Sequence, residues 1–279
     1  MFQEIISGIV QGIFEWLPVS SEGVLFLLQA NFFDPSQEMM DIFKGVLFLH
    51  LGTFLAALIY LRKDVLSIFK TIINYKSGGL EEKNIFKFLF VSTLVSGLLG
   101  LLLLKFFTGF DEEIKGVGRI LTLIIGLLLL VTAFLQIKTR GGGPARNALH
   151  GDAGGLKGYN DPTLKDGILL GFVQGLSVLP GLSRSGLTVS FLLLRKFGEE
   201  ASLRISFLMS LPVILAANIL LNLPEASLYF SKEAMAGFLF SFLFGLLTID
   251  LLIKTSRKIN FGFFVLFFGI FTILSVIIF

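Results

Sequence analysis

The sequence contains no cysteine, and charged residues make up only 15% of its 279 residues. Without cysteine the chain can form no disulfide, no thiolate nucleophile and no cysteine-ligated metal site. Soluble domains carry about 25% charged residues, so this composition argues against a soluble fold. The net charge of +3 is too small to indicate a nucleic-acid partner. No basic segment precedes the first apolar run, and we therefore expect no cleavable signal peptide.

Long apolar runs fill most of the chain, which is 54% hydrophobic with a mean hydropathy of +0.85. A helix that crosses a membrane needs roughly 20 largely apolar residues. Six runs have about this length, at 45–61, 88–104, 120–137, 205–224, 234–249 and 261–279. A β-barrel would require alternating polar and apolar residues, which these runs lack. The sequence therefore predicts an all-α polytopic membrane protein with six transmembrane helices.

Two further apolar segments are interrupted by proline, glycine and serine: GIVQGIFEWLPVSSEGVLFLL at 8–28 and GFVQGLSVLPGLSRSGLTVSFLLL at 171–194. Four residues recur in both at one constant spacing: Gly8 and Gly171, Gln11 and Gln174, Gly12 and Gly175, and Gly23 and Gly186. Each segment predicts two short helices around a turn. Non-helical backbone inside a membrane must be surrounded by protein or water, so we interpret each segment as a re-entrant hairpin.

Three predicted spans follow each hairpin, so the second hairpin enters from the opposite face of the membrane. This predicts an inverted-topology repeat, a fold that places its site near the membrane midplane. The first repeat is 1–138 with its hairpin at 4–30, and the second is 164–279 with its hairpin at 164–197. A glycine-rich loop at 139–163 joins them. Most lysines and arginines then fall on one side, which the positive-inside rule makes cytoplasmic, so both termini are predicted to be external.

Arg184 is the most unusual residue of the second hairpin. A charged side chain at membrane depth is costly, and it marks either a functional site or an ion pair. Ser183, Ser185 and Thr188 supply hydroxyl groups beside it. Together with the unpaired N–H groups that open the next helix, these side chains suit an anion, above all a phosphate. The alternative is a structural arginine that reaches the cytoplasm or pairs with a carboxylate.

The first hairpin supplies complementary groups. Gln11 and Glu15 are four residues apart and share one helix face. Glu15 could act as a base, as a metal ligand or as the partner of Arg184. Ser20 and Ser21 could offer reactive hydroxyls or could simply cap the next helix.

The two hairpins resemble those of the BacA-type undecaprenyl-diphosphate phosphatases. The first family motif, [EQ]-x-x-x-E followed by L-P-x-S-S, is present as Gln11, Glu15 and residues 17–21. The second, P-G-x-S-R-S-x-x-T, is complete at 180–188. HLGTFLAALIY at 50–60 and EASLRISFLMSLPVILAA at 200–217 extend the resemblance over nearly the whole chain. It implies an integral membrane enzyme that converts a polyprenyl diphosphate to its monophosphate and so recycles the lipid carrier for cell-envelope glycans.

The resemblance also implies roles for single residues. The expected catalytic residues are Glu15, Ser21 and Arg184. The expected substrate-binding residues are Gln11, Ser20, Gln174, Ser183, Ser185 and Thr188. A divalent cation, Mg²⁺ or Ca²⁺, is the expected cofactor, with Glu15 as its candidate ligand. The expected partners are the lipid substrate, the bilayer of the cell membrane and a second copy of the chain in a homodimer.

One position departs from the family pattern. After the paired serines the bacterial members read x-G-His, with a catalytic part assigned to the histidine, whereas this chain has Val24. Either that histidine is dispensable, or Glu15, Glu22 or His50 replaces it, or the activity has changed. His50 lies within the first predicted span, and we otherwise interpret it as a polar packing residue. The Ser-Ser-Glu-Gly sequence at 20–23 resembles archaeal members, which would use a different polyprenyl lipid.

One rival function and one rival mechanism bear on these features. Inverted repeats with broken helices are typical of transporters, so a flippase of a polyprenyl phosphate or another anionic substrate is the alternative. A second superfamily of lipid phosphatases uses a histidine nucleophile in an S-R-x5-H motif. Ser190 occupies that histidine's position here, which excludes the mechanism.

Overall fold

The computed structural model describes the main part of the chain. The described residues are 1–17, 20–33, 39–76, 79–108, 157–178 and 182–255, together with 123, 126–127, 130–131, 133–135, 137–138, 263, 266–267, 269–270 and 273–274. Among them the regular structure is helical and no β-strand occurs; one isolated backbone bridge joins Lys157 and Phe197. The predicted all-α class is confirmed.

Nine α-helices of at least eight residues have both ends within the described part of the chain. They are α1 (Phe2–Phe14), α2 (Ser21–Leu28), α3 (Met39–Tyr60), α4 (Arg62–Ile73), α5 (Leu80–Thr108), α6 (Leu164–Gly175), α7 (Arg184–Leu194), α8 (Glu199–Leu221) and α9 (Lys232–Thr255). A π-helical turn, Gln29–Phe33, continues α2. Short 3₁₀ segments follow α6 at Leu176–Val178 and α8 at Leu223–Phe230.

Four of these helices are long and apolar enough to cross a membrane: Met40–Tyr60, Leu80–Lys105, Glu199–Leu221 and Lys232–Lys254. They coincide with the predicted spans at 45–61, 88–104, 205–224 and 234–249. Helices α5 and α8 begin earlier than predicted, because acidic residues in a first turn stabilise a helix N-terminus. Helix α8 ends earlier than predicted, at Leu221, and Pro224 opens the 3₁₀ segment instead.

Several predicted features lie wholly or mostly outside the described residues. They are the spans at 120–137 and 261–279, the loop at 139–156, and the hairpin turns at 18–19 and 179–181. The residues of the two spans that are described are all helical. A Cβ atom placed on Gly126 would lie 2.7 Å from Ile273 Cγ1, so these two helical segments pack together.

The two interrupted segments each form two short helices, as predicted. Ser20 caps α2, since its hydroxyl accepts a hydrogen bond from the Gly23 amide at 3.1 Å. Ser183 caps α7 in the same way, from the Gly186 amide at 3.0 Å. Both serines occupy the same position in the repeated sequence. The capping that the sequence left as an alternative for Ser20 and Ser21 therefore applies to Ser20, and Ser183 has the same role in the second segment.

The first helix of each interrupted segment packs against a long helix of the other half. Helix α1 lies against α9, where a Cβ on Gly8 would approach the Gly237 carbonyl oxygen to 2.2 Å. Helix α6 lies against α5, where a Cβ on Gly171 would approach the Ser92 carbonyl oxygen to 2.7 Å. These two glycines are equivalent in the repeated sequence. Helix pairs inside membranes commonly use such small residues to bring their backbones close.

Substituting Gly8 with alanine should destabilise the protein. The added methyl group has no room against the Gly237 backbone, and overpacking typically costs about 1–3 kcal/mol. Gly45→Ala is the matched control, because a Cβ at that helical position meets nothing within 4 Å. Thermal unfolding in detergent should show a lower midpoint for Gly8→Ala and an unchanged or higher one for Gly45→Ala. Equal midpoints would contradict the close packing of α1 on α9.

A buried carboxylate holds the start of α6 next to the end of α7. Asp166 accepts from Lys157 Nζ at 2.8 Å and from Arg195 Nε at 2.6 Å, and it forms a capping box with Thr163. Burial opposes ionisation of Asp166, but the hydrogen bonds from Lys157, Thr163 and Arg195 outweigh it and lower the pKa of this carboxyl. The network fixes the C-terminal end of α7 against the N-terminal end of α6.

Candidate active site

Glu15 and Arg184 join the two interrupted segments. Glu15 immediately follows α1, and Arg184 is the first residue of α7. Arg184 Nη2 donates to Glu15 Oε1 at 2.7 Å, and Nη1 donates to the Ser206 carbonyl at 3.1 Å. The Glu15 side chain is only 4% exposed, so its charge depends on this partner. The pairing of Arg184 with a carboxylate, which the sequence left as an alternative, is therefore present.

The second oxygen of Glu15 collects two donors from the first segment. Gln11 Nε2 donates to Glu15 Oε2 at 2.8 Å, which confirms that the two residues share a helix face. Ser21 Oγ donates to the same oxygen, also at 2.8 Å. The Ser21 hydroxyl thus already faces a group that can take its proton.

His50 enters the site from α3; the sequence offered this role as one alternative and otherwise favoured a polar packing residue. Its Nε2 lies 3.1 Å from Glu15 Oε2 and its Nδ1 lies 2.8 Å from the Val46 carbonyl oxygen. Glu22 Oε1 lies 3.9 Å from the same Nε2, and among the described residues Glu22 Oε2 has no hydrogen-bond partner. One signal could have identified His50: an ionisable residue inside an apolar span is by default a functional candidate.

The hydroxyls around Arg184 divide into two groups. Ser183 lines the cavity described below, beside the start of α7. Ser185 donates to the Leu17 carbonyl at 2.7 Å, and the Thr188 and Ser206 hydroxyls share a hydrogen bond of 2.6 Å. The structure places Ser185 and Thr188 outside the cavity lining, where they brace α7 against its neighbours.

Gln174 does not join the cluster around Glu15. Its Nε2 donates to Ser96 Oγ at 3.1 Å, and the side chain ties α6 to α5. Gln11, its equivalent in the first segment, bonds Glu15 instead. The repeated sequence has Val178 at the position equivalent to Glu15. The two halves are therefore similar in fold and different in chemistry.

A cavity of about 110 Å³ opens beside these groups. Its polar lining consists of Glu15, Ser20, Ser21, Glu22, His50, Ser177, Ser183 and Arg184. Its apolar lining includes Phe43 and Leu47 of α3 and Val213, Ile214 and Ala217 of α8. Helices α2 and α7 both begin at the cavity, and helix N-termini attract anions. The arrangement suits an amphiphile with an anionic head and an apolar tail.

The arrangement does not suit a metal ion held by Glu15. Both oxygens of this carboxylate accept hydrogen bonds, and one of them contacts the Arg184 cation. Within the described residues, no group of three His, Cys, Asp or Glu side chains is placed to hold a metal ion.

Comparison with known proteins gives consistent matches along the chain. The model of a family described as bacitracin resistance protein BacA matches residues 4–274. The chain is 37% identical to a protein of Methanococcoides burtonii, over 98% of this chain and 97% of that one. It is 33% identical to a protein of Methanothrix thermoacetophila, over 97% and 95% of the two chains. A protein of Haloarcula marismortui is 35% identical over 92% and 90%. All three relatives bear the name undecaprenyl-diphosphatase and come from archaea.

Proposed function

Because the chain belongs to the BacA family, we propose that it is a membrane phosphatase that hydrolyses a polyprenyl diphosphate to the monophosphate and inorganic phosphate. The observation that carries this proposal is the Ser21 hydroxyl bonded to a carboxylate that Arg184 holds, at a cavity with an apolar wall. The substrate is undecaprenyl diphosphate or the corresponding archaeal lipid. Hydrolysis returns the carrier to cell-envelope glycan synthesis.

The diphosphate binds at the start of α7 in this proposal. Arg184 uses two of its N–H directions on Glu15 and Ser206, and a guanidinium has five donors, so others remain for phosphate oxygens. Ser183, Ser20 and the first amides of α2 and α7 face the same space. These fixed donors stabilise the charge that develops on the transferred phosphoryl group.

Ser21 attacks the terminal phosphorus in the proposed reaction, and Glu15 accepts its proton across the 2.8 Å hydrogen bond. Gln11 orients the carboxylate by donating to the same oxygen, Oε2. A water held by Ser21 is the alternative nucleophile. The lipid tail lies along the apolar wall that α3 and α8 form.

The proposed membrane arrangement has six spans and two re-entrant hairpins, with repeats at 1–138 and 164–279. The reciprocal packing of α1 on α9 and of α6 on α5 supports an inverted repeat. The distribution of lysine and arginine supports external termini. The family resemblance supports a site that opens to the external side of the cell membrane. The homodimer stays a prediction.

A divalent cation enters the proposal only with the substrate. Diphosphate oxygens bind Mg²⁺ and Ca²⁺ readily, whereas Glu15 is occupied by hydrogen-bond donors. Turnover measured with and without a chelator distinguishes a metal–diphosphate substrate from the free diphosphate.

Phosphate release from a polyprenyl diphosphate in detergent tests the function directly. The purified chain should release phosphate there without any membrane to transport across, and Ser21→Ala should lower turnover at least about 100-fold, since it loses the proposed attacking group. Ser210→Ala is the matched control, because this buried serine donates to the Phe207 carbonyl of its own helix and does not line the cavity. If the wild type releases no phosphate but moves the lipid across vesicle membranes, the chain is a transporter and the proposed enzyme function is wrong.

A further inference from the structure

His50 donates from one ring nitrogen to the backbone of its own helix. A carbonyl oxygen can only accept a hydrogen bond, so the 2.8 Å contact with Val46 places a proton on Nδ1. The other nitrogen, Nε2, faces Glu15 Oε2 at 3.1 Å. Glu15 accepts from Gln11, Ser21 and Arg184 and is therefore the acceptor here as well, so Nε2 carries the second ring proton and donates it to Oε2.

This proton lies next to the Ser21 hydroxyl, which bonds the same oxygen of Glu15. His50 is 6% exposed and lines the cavity. The imidazole thus meets both the carboxylate and the space that the phosphate would occupy.

Val24, where the resembling family carries a histidine, offers no such group. Its side chain packs in an apolar cluster with Phe26 and Ala133. An imidazole nevertheless reaches the catalytic carboxylate, from a helix that lies far from position 24 in the sequence. We propose that His50 is the acid–base residue of this site and takes the part of the histidine that Val24 replaces; this inference rests on the proposed phosphatase function.

The proposed step balances its protons. As Ser21 Oγ bonds to the terminal phosphorus, its proton passes to Glu15 Oε2. The bond from that phosphorus to the bridging oxygen breaks, and the departing monophosphate takes the electron pair and the Nε2 proton of His50. In the second step, water attacks the phosphoserine and gives its proton to Nε2. Ser21 Oγ leaves with the proton from Glu15, and the site is restored.

The pH dependence of this step follows from few groups. Glu15 and Glu22 face the His50 ring, from the end of α1 and from α2. Arg184 holds the far oxygen of Glu15. Helices α8 and α9 also pack on α3, and they contribute the uncharged Asn218 and Ser241 to its backbone.

His50→Gln tests the inference in the full chain in detergent, with phosphate release measured against pH. We expect kcat to fall at least about 30-fold with KM changed by less than about 3-fold, and one limb of the pH profile to disappear. Ser241→Ala is the matched control, because it removes a buried hydroxyl that bonds the Leu49 carbonyl beside His50, and it should keep both rate and profile.

His50→Ala provides a second measurement if the amide side chain disturbs folding. Added imidazole should restore part of the turnover of this variant. An active wild type with a His50→Gln variant that keeps its kcat and its pH profile would overturn the role of His50 alone. A wild type that releases no phosphate would overturn the proposed function with it.

Discussion

Arg184→Ala should lower phosphate release at least about 1,000-fold, and Arg184→Lys at least about 100-fold. Removing a single fixed donor from a site of developing negative charge typically costs about 100-fold to 1,000-fold in turnover. Arg184 provides more than one donor and also holds Glu15 through Nη2. Lysine keeps the charge but not the planar fork that reaches Glu15, Ser206 and a phosphate together.

Arg204→Lys is the matched control for Arg184→Lys. Arg204 also pairs with a partly buried carboxylate, Asp64 at 2.5 Å, but it does not line the cavity. Both variants keep the charge and lose the planar guanidinium of an ion pair, so we expect similar thermal stability for the two. Only Arg184→Lys should lose activity. Full turnover by Arg184→Ala would refute the proposed phosphate site.

Glu15→Gln should be the second severe loss, at least about 1,000-fold in kcat. The amide keeps the size of the side chain and removes the group that accepts the Ser21 proton; general bases contribute about 100-fold to 10,000-fold. The variant also leaves Arg184 and His50 without their shared carboxylate. Asp250→Asn is the control, because this carboxylate pairs with Lys254 away from the cavity.

A double-substitution cycle separates the chemistry of Glu15 from its structural effect. Residues that act as one catalytic unit give strongly non-additive losses. Glu15→Gln combined with Ser21→Ala should therefore be little slower than Glu15→Gln alone. Additive losses would show that the two residues do not share the proton transfer, whatever each contributes to stability.

Local sequence patterns predicted the helical segments well. The apolar run at 234–249 lies within α9, and the run at 45–61 extends one residue past the end of α3, since about 20 apolar residues in a row have few alternatives to a helix. The amphipathic helix α4 was not predicted, because its charged residues, Arg62 and Lys63 among them, prevent it from forming a long apolar run. The starts of α5 and α8 were predicted too late, because charged residues form the first turn of each of these helices.

The sequence by itself determined the membrane class, the repeated interrupted segments, the face shared by Gln11 and Glu15, and the need of Arg184 for an anionic partner. These features depend on composition and on spacing along one helix, which are local properties. Only the tertiary structure decided that Arg184 meets Glu15, that Ser185, Thr188 and Gln174 face away from the cavity, and that His50 joins the site. Each of those outcomes depends on how separate helices are rotated and set against one another, and no spacing within one segment carries that information.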